Sequence, residues 1–287
     1  MARLRTSAGI GLHGGSRYNP LEFFEKGLYF LKELGFDAAD IPSFAFLAFG
    51  DEMEKGIEDM LAISEKAGIR AELCHLPFGI KPTFTSEEVE AFNASVYRSM
   101  DGAKRLGVDF AVLHPNSIGM PMAEYDAKKE RESVIAHLMP FAEYANKIGL
   151  EIVVENMRKI YADEPMGRFC CDPEELCSVA DELGIGICWD FGHAHISGLK
   201  QSEALAYVGK RLKMLHVNDN FTREDAHVTP FVGTIDWQDA MQGLKAVGFD
   251  GLFNYEVGGY RMPKTVREDF CRCLYKAAQV LLDMMEE

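Results

Sequence analysis

The segment Leu150-Glu-Ile-Val-Val-Glu155 is a short β-branched run that follows a glycine, Gly149, and ends on a carboxylate. Such runs favour extended backbone, and the glycine marks where a preceding helix stops. The same construction recurs downstream. Ile185-Gly-Ile-Cys-Trp runs into Asp190, Leu212-Lys-Met-Leu into His216, and Leu252-Phe-Asn-Tyr into Glu256. A charge at the tip of a buried strand is costly unless something neutralises it. Three carboxylates gathered beside an imidazole repel one another, and a divalent cation is the natural compensation.

Outward from this segment, β-rich runs alternate with amphipathic ones. Strands are predicted near 6–12, 37–41, 69–75, 108–114, 150–155, 185–190, 212–217 and 251–257. Helices are predicted near 20–34, 51–67, 86–106, 123–148, 173–183, 201–210, 236–247 and 264–285. Six helix-to-strand junctions repeat one pattern: Leu34-Gly35-Phe36, Ala67-Gly68-Ile69, Leu106-Gly107-Val108, Ile148-Gly149-Leu150, Leu183-Gly184-Ile185 and Val247-Gly248-Phe249. A glycine in the left-handed region ends each helix and the next strand starts at once. Ser86, Asp172 before Pro173, and Asp236 are predicted helix caps. Eight strand-helix units over 1–287 predict an α/β fold of one domain, a (β/α)8 TIM barrel, with an open doubly wound sheet as the rival architecture.

The chain has 287 residues, 47% of them hydrophobic, which suffices for one large core. Its 45 acidic and 30 basic residues give a formal net charge of -15, which disfavours general binding to nucleic acid. The seven cysteines are scattered without paired CxxC motifs, so a reducing, cytoplasmic compartment is expected. The start of the chain lacks the apolar stretch of a signal peptide, and no run of about 18 apolar residues suggests a membrane span.

In a barrel, functional groups collect at the C-terminal strand ends and the loops beyond them. The predicted third strand ends at His75, the fourth at His114, the fifth at Glu155-Asn156, and the sixth at Asp190, with His193 and His195 just after. The seventh ends at His216, with Asn218, Asp219 and the loop residues Asp225 and His227 following; the eighth ends at Glu256. Carboxylate and imidazole donors suit Mn, Zn, Co or Fe and do not choose among them.

Val154-Glu-Asn-Met, Trp189-Asp-Phe-Gly-His, Leu215-His-Val-Asn-Asp-Asn, and Asp225-Ala-His followed by Gly233-Thr-Ile-Asp-Trp occur in this order. With them the chain resembles, over nearly its whole length, the xylose isomerase-like barrel superfamily. Its members include ketose 3-epimerases, hydroxypyruvate isomerases, inosose isomerases and dehydratases, and apurinic-site endonucleases. The resemblance implies that Glu155, Asp190, His216 and Glu256 hold a divalent metal ion (Mn, Zn, Co, Fe or Mg), with Glu155 and Glu256 as the acid/base pair. His193, Arg223 and His114 would contact substrate. The implied reaction is isomerisation or epimerisation of a ketose, keto-sugar or keto-inositol through an enediolate. The same residues would serve a lyase, dehydratase or deglycosylating enzyme acting on a keto-sugar. His75, His114, Glu155, Asp190, His193, His216, Asp225, His227 and Glu256 also match the positions at which the zinc-dependent endonucleases hold three zincs, so His75, His114, His193, Asp225 and His227 are additional metal candidates. The acidic charge weighs against that branch.

Plainer roles compete for several residues. Asp190 is also placed to cap the turn that follows it, and His216 to sit as a satisfied core histidine. Asp225 and His227 are also placed to tie down a long loop. His13 and His195 read as scaffold or rim residues and His137 as a solvated helix residue. Phe44-Ala-Phe-Leu-Ala-Phe49 reads as loop packing or an apolar lid, and the last helix as packed on the barrel or at a homo-oligomer interface. A small carbohydrate substrate is the expected partner.

Overall fold

In the computed structural model, which describes residues 3–15, 18–44, 52–258 and 262–286, the expected alternation is present. The barrel strands are β1 (Thr6–Gly9), β2 (Ala38–Ile41), β3 (Ala71–His75), β4 (Phe110–Leu113), β5 (Ile152–Glu155), β6 (Gly186–Asp190), β7 (Leu212–His216) and β8 (Phe253–Tyr255). The helices between and after them are α1 (Pro20–Leu34), α2 (Met53–Ala67), α3 (Ser86–Leu106), α4 (Ala127–Ile148), α5 (Pro173–Leu183), α6 (Gln201–Val208), α7 (Trp237–Val247) and α8 (Lys264–Glu286). All sheet neighbours run parallel, in the order β8-β1-β2-β3-β4-β5-β6-β7. The last seam closes just past β7: the Val217 amide donates to Asn254 O at 2.8 Å, and the Glu256 amide to Val217 O at 3.1 Å. The chain is a single (β/α)8 TIM barrel, not an open sheet.

Local chemistry accounts for the boundaries. All six junction glycines adopt positive φ, from 64° to 100°. In α1, Pro20 occupies the first turn and the Asn19 side chain accepts from the Glu22 amide. Its buried residues Phe24, Leu28 and Leu31 recur at helical spacing and turn one face to the strands. The cap of α3 falls on Thr85 rather than Ser86, because Thr85 and Glu88 exchange both hydrogen bonds of a capping box. Asp172 occupies its cap position without a side-chain cap bond, whereas Asp236 accepts from the Asp239 amide at 3.1 Å. β1 is shorter than expected: after Gly9 the chain turns into a 3-10 helix, Ile10–His13.

Two pieces lack any strong local signal. A short helix, Phe191–Ile196, follows β6 directly, and the two-residue strands Met120–Pro121 and Met166–Gly167 pair antiparallel across the β4 and β5 loops. Phe44 is buried against α3, where its ring closes over Gly102; the rest of the aromatic stretch to Phe49 lies outside the described residues. His137 is half-buried, edge-on to Phe141, rather than solvated.

Inside the barrel, Ala38, Leu73, Val112, Val153, Cys188 and Met214 pack as an apolar layer distinct from the main core outside the strands. Side chains alternate faces along a strand, so the residue two positions on points inward one step nearer the mouth. That step gives Asp40, His75, His114, Glu155, Asp190 and His216. The architecture thus converts a two-residue periodicity into a polar floor on an apolar plug.

The junction glycines offer a test of this frame. Gly184 sits at φ 64°, and a Cβ built on it meets nothing within 4 Å, so substitution there costs backbone strain alone. Gly184→Ala is expected to destabilise by about 1–2 kcal/mol, and Gly184→Asn by less, in urea unfolding. An alanine variant as stable as the parent would contradict the left-handed junction.

Candidate metal centre and active site

Glu155 closes β5 and is fully buried. Its Oε1 lies 3.0 Å from His216 Nδ1 and 3.5 Å from His193 Nδ1; its Oε2 lies 2.9 Å from His114 Nε2 and 3.7 Å from His75 Nε2. The approach to His114 is close yet misaligned, and both atoms are buried without a hydrogen-bond partner. His75, His114 and Glu155 together offer donor atoms within 4.8 Å of one another, close enough to share one ion. Burial alone would raise the Glu155 carboxyl pKa, but the neighbouring imidazoles of His216 and His114 outweigh it and hold the group ionised, well below the usual range.

Asp190, Glu256 and His216 complete the first donor group with Glu155; one donor atom from each lies within 4.8 Å of the others. Asp190 is fixed from several sides. Asn156 brackets its backbone, accepting from the Asp190 amide at 2.6 Å and donating to its carbonyl at 2.9 Å. Asn218 donates to Oδ2 at 2.8 Å, and Oδ1 accepts from the His193 amide at 2.6 Å. The cap role weighed for Asp190 is therefore real and leaves the carboxylate in the cluster. Burial pushes its pKa up to about 6. Glu256 is the most accessible of the four: its Oε2 lies 3.3 Å from His216 Nδ1 and its Oε1 3.7 Å from His75 Nε2.

Two more donor groups adjoin the first. His75 and His114 form one with Glu155, and His193, Asp225 and His227 form the other. In the latter, Asp225 contacts His193 Nε2 at 3.3 Å and His227 Nε2 at 3.1 Å. Burial would lower both imidazoles, but the surrounding carboxylates push His193 up to about 9 and His227 up to about 10. Asp225 is correspondingly held far below the usual carboxylate range. His114 differs: burial, only partly offset by Glu155, draws it below the ordinary imidazole value.

The loop that carries Asp225 and His227 is anchored by buried Asp219. This carboxylate accepts from the amides of Asn220, Phe231 and Ile235 and from Trp237 Nε1, at 2.8 to 3.1 Å. Asp219 and Val228 also pair backbone to backbone, which folds the loop back over the mouth. Beside the cluster opens a cleft of about 340 Å³ whose wall includes Gly9, Gly11, Asp40, Asp225, His227 and Glu256.

The structure thus brings together all nine metal candidates, whereas Arg223, the expected substrate contact, is exposed on the loop. The guanidinium that enters the site is that of Arg158, 3.2 Å from Asp225 Oδ2. Sequence reading also passed over Asp40, which forms a fourth donor group with His75 and His216, and Phe78, whose ring stacks on His114 at 4.1 Å. Asp40 carried a usable signal, because it stands two positions after inward-facing Ala38. His13 and His195 stay outside the cluster: His13 Nδ1 bonds Ile10 O, and His195 Nε2 bonds Thr234 Oγ1. No helix among the described residues is long and apolar enough to cross a membrane.

Comparison with known proteins agrees with the fold. An uncharacterised Methanocaldococcus jannaschii protein, MJ1311, is 25% identical over 209 residues, 70% of this chain and 69% of its own length. Inosose isomerase of Bacillus subtilis is 25% identical over 165 residues, 55% of this chain and 57% of that protein. Among solved structures, a D-tagatose 3-epimerase-like protein superposes with a TM-score of 0.73 at 19% identity, covering 99% of this chain and 98% of the other. 3-Keto-D-glucoside 4-epimerase from E. coli gives 0.71 at 17% identity, covering 96% of this chain and 100% of the other. The family described as Xylose isomerase-like TIM barrel matches residues 28–276, and the chain belongs to it.

Proposed function

We propose that this protein is a divalent-cation-dependent sugar isomerase or epimerase acting on a ketose, keto-sugar or keto-inositol. The observation that carries the reading is the convergence of Glu155, Asp190, His216 and Glu256 on one point at the barrel mouth, beside a cleft. Relatives named as an inosose isomerase, and fold neighbours named as sugar epimerases, support the substrate class. The donor set fits a hard or borderline cation: carboxylate oxygens and imidazole nitrogens, with Glu155 Oε2 and His114 Nε2 buried and unsatisfied. When bound, such an ion supplies Lewis-acid polarisation of a substrate carbonyl and compensates the negative charge that develops as the adjacent C–H proton leaves.

The chain's own residues do the rest. Glu256 lines the cleft and is the group best placed to take a proton from a bound sugar. Glu155 approaches from the buried side and serves as its counterpart. Return of the proton to the opposite face gives an epimer; return to the neighbouring carbon gives an aldose-ketose isomer. His193 Nδ1 lies 2.7 Å from the Asn156 carbonyl and donates to it, which turns Nε2 toward Asp225 and the mouth, where in the imidazolium form it donates as well. Arg158 is a further donor there. If the substrate carries a leaving group β to the carbonyl, the same residues perform an elimination, and product NMR in deuterated water separates the two outcomes.

One observation favours a second reading, a zinc-dependent apurinic-site endonuclease. Three donor groups stand side by side, and Glu155 is common to two of them. The net charge of -15 opposes a nucleic-acid substrate. Metal analysis of the unchelated protein and an assay on an abasic duplex decide this: nicking with zinc present would establish the endonuclease, and its absence alongside ketose turnover would eliminate it.

Glu256→Gln is expected to fold and keep much of its metal while turnover of the best ketose substrate falls by roughly 10²–10⁴-fold. Undiminished turnover would remove Glu256 from the reaction.

The charge balance predicts a pH dependence. In the metal-free protein, His193 and His227 bind protons more tightly folded than unfolded. Their contribution is complete below the unfolded imidazole value of about 6.5, and is lost as pH rises through about 9 and 10. The urea midpoint of chelator-treated protein is therefore expected to fall between about pH 7 and 10. Divalent cation, which needs deprotonated ligands, is expected to restore progressively more stability over the same interval. A flat midpoint in chelator would refute the assigned protonation.

A further inference from the structure

His75 and His216 stack face to face, ring centroids 4.6 Å apart and planes 17° from parallel. Each turns one nitrogen to the carboxylates at the mouth: His216 Nδ1 toward Glu155 and Glu256, and His75 Nε2 toward the same pair. The opposite nitrogens, His216 Nε2 and His75 Nδ1, are buried with no hydrogen-bond partner. A carboxylate oxygen of Asp40 and a ring nitrogen of each histidine lie within 4.8 Å of one another. Asp40 is itself buried. Its Oδ2 accepts from Asn254 Nδ2 at 3.4 Å, and Asn254 Oδ1 in turn accepts from Ser7 Oγ at 2.7 Å, whereas Asp40 Oδ1 has no partner.

Three buried polar atoms without partners, on three residues that stand within reach of one another, are expensive, and the arrangement that relieves all three is one carboxylate serving two imidazoles. We propose that Asp40 is a positioning residue for both histidines, accepting hydrogen bonds from His216 Nε2–H and His75 Nδ1–H, directly or through one bridging water. Acceptance there leaves the lone pairs of His216 Nδ1 and His75 Nε2 free and aimed at the mouth, where a cation is gripped. A carboxylate behind a ligating imidazole fixes its tautomer and raises its basicity. Ser7 and Asn254 hold Asp40 in place from below, so the chain of contacts runs from the strand interior to the cation ligands. The rival partner is the Cys188 thiol, which lies beside the His216 ring; a thiol is a weak donor and a weak acceptor. The inference rests on the cation-dependent reading above.

The test compares the parent protein with Asp40→Asn and Cys188→Ala. Mn(II) dissociation constants are measured by EPR, Co(II) absorption spectra are recorded, and each metal-free variant is melted. Asp40→Asn keeps the shape and removes the charge. It is expected to bind Mn(II) about 10–100-fold more weakly and to alter the Co(II) spectrum, with the metal-free melting temperature close to the parent's. Cys188→Ala is expected to bind as the parent does. A parent that binds Mn(II) and an Asp40→Asn variant of equal affinity and spectrum would overturn the positioning role alone. Equal weakening in Cys188→Ala would also overturn it, by assigning the effect to the buried layer as a whole. A parent with no affinity for divalent cations would overturn the cation-dependent reading and this inference with it.

Discussion

The site is organised around one buried carboxylate. Glu155 faces His75, His114, His193 and His216 within 3.7 Å and belongs to two donor groups at once. An ionised carboxylate removed from water survives only if positive charge or strong donors surround it. Without a metal, the His216 imidazole beside Glu155 meets that need, and the neighbouring carboxylates of the cluster raise His193, His216 and His227 above the ordinary imidazole range. A divalent cation would replace several protons by one ion. Protons and cation are then competitors for a single charge deficit, and the deficit is built into the barrel.

Positions within the cluster follow from strand periodicity more than from loop sequence. Leu73, Val112, Val153, Cys188 and Met214 form a plug, and the residue two places further along each strand is His75, His114, Glu155, Asp190 or His216. A packed apolar layer directly beneath polar groups fixes their height and direction, because interior packing tolerates little displacement. Above this floor the supports are polar. Asn156 clamps the Asp190 backbone, Asn218 its carboxylate, and Asp219 the loop bearing Asp225 and His227. Glu155, Asp190 and His216 close strands, while Asp225 and His227 come from the loop after β7.

That division explains what could be read in advance. Helix-stop glycines and strand-end charges are local signals, so the eight units and the polar side chains that converge at the strand ends were legible from residues such as Gly149 and Glu155. The short helix after Asp190 was not, because Phe-Gly-His-Ala-His lacks helical periodicity and Asp190 alone caps it. Thr85 outcompeted Ser86 because the capping box depends on a reciprocal bond with Glu88. Asp40 looked like a residue inside a strand and needed the alternation from Ala38 to reveal its direction. Arg158 follows β5, whereas its partner Asp225 follows β7, so no sequence spacing could prefer it over Arg223.

The two glutamates of the proposed acid/base pair are not equivalent. Glu155 is sealed beneath imidazoles, while Glu256 is the more exposed and borders the cleft. A base must touch the carbon acid it deprotonates, so a sugar entering from the cleft meets Glu256 first. Glu155 becomes a partner only for a substrate that lies across the mouth toward His114, where the exposed face of Phe78 offers an apolar surface for a sugar's C–H edge. Epimerisation needs carboxylates on both faces of one carbon, whereas aldose-ketose transfer is served by one. Under the proposed reaction, the depth at which a substrate settles between Glu256 and the Phe78 side would choose between these outcomes, on a polar floor that both would share.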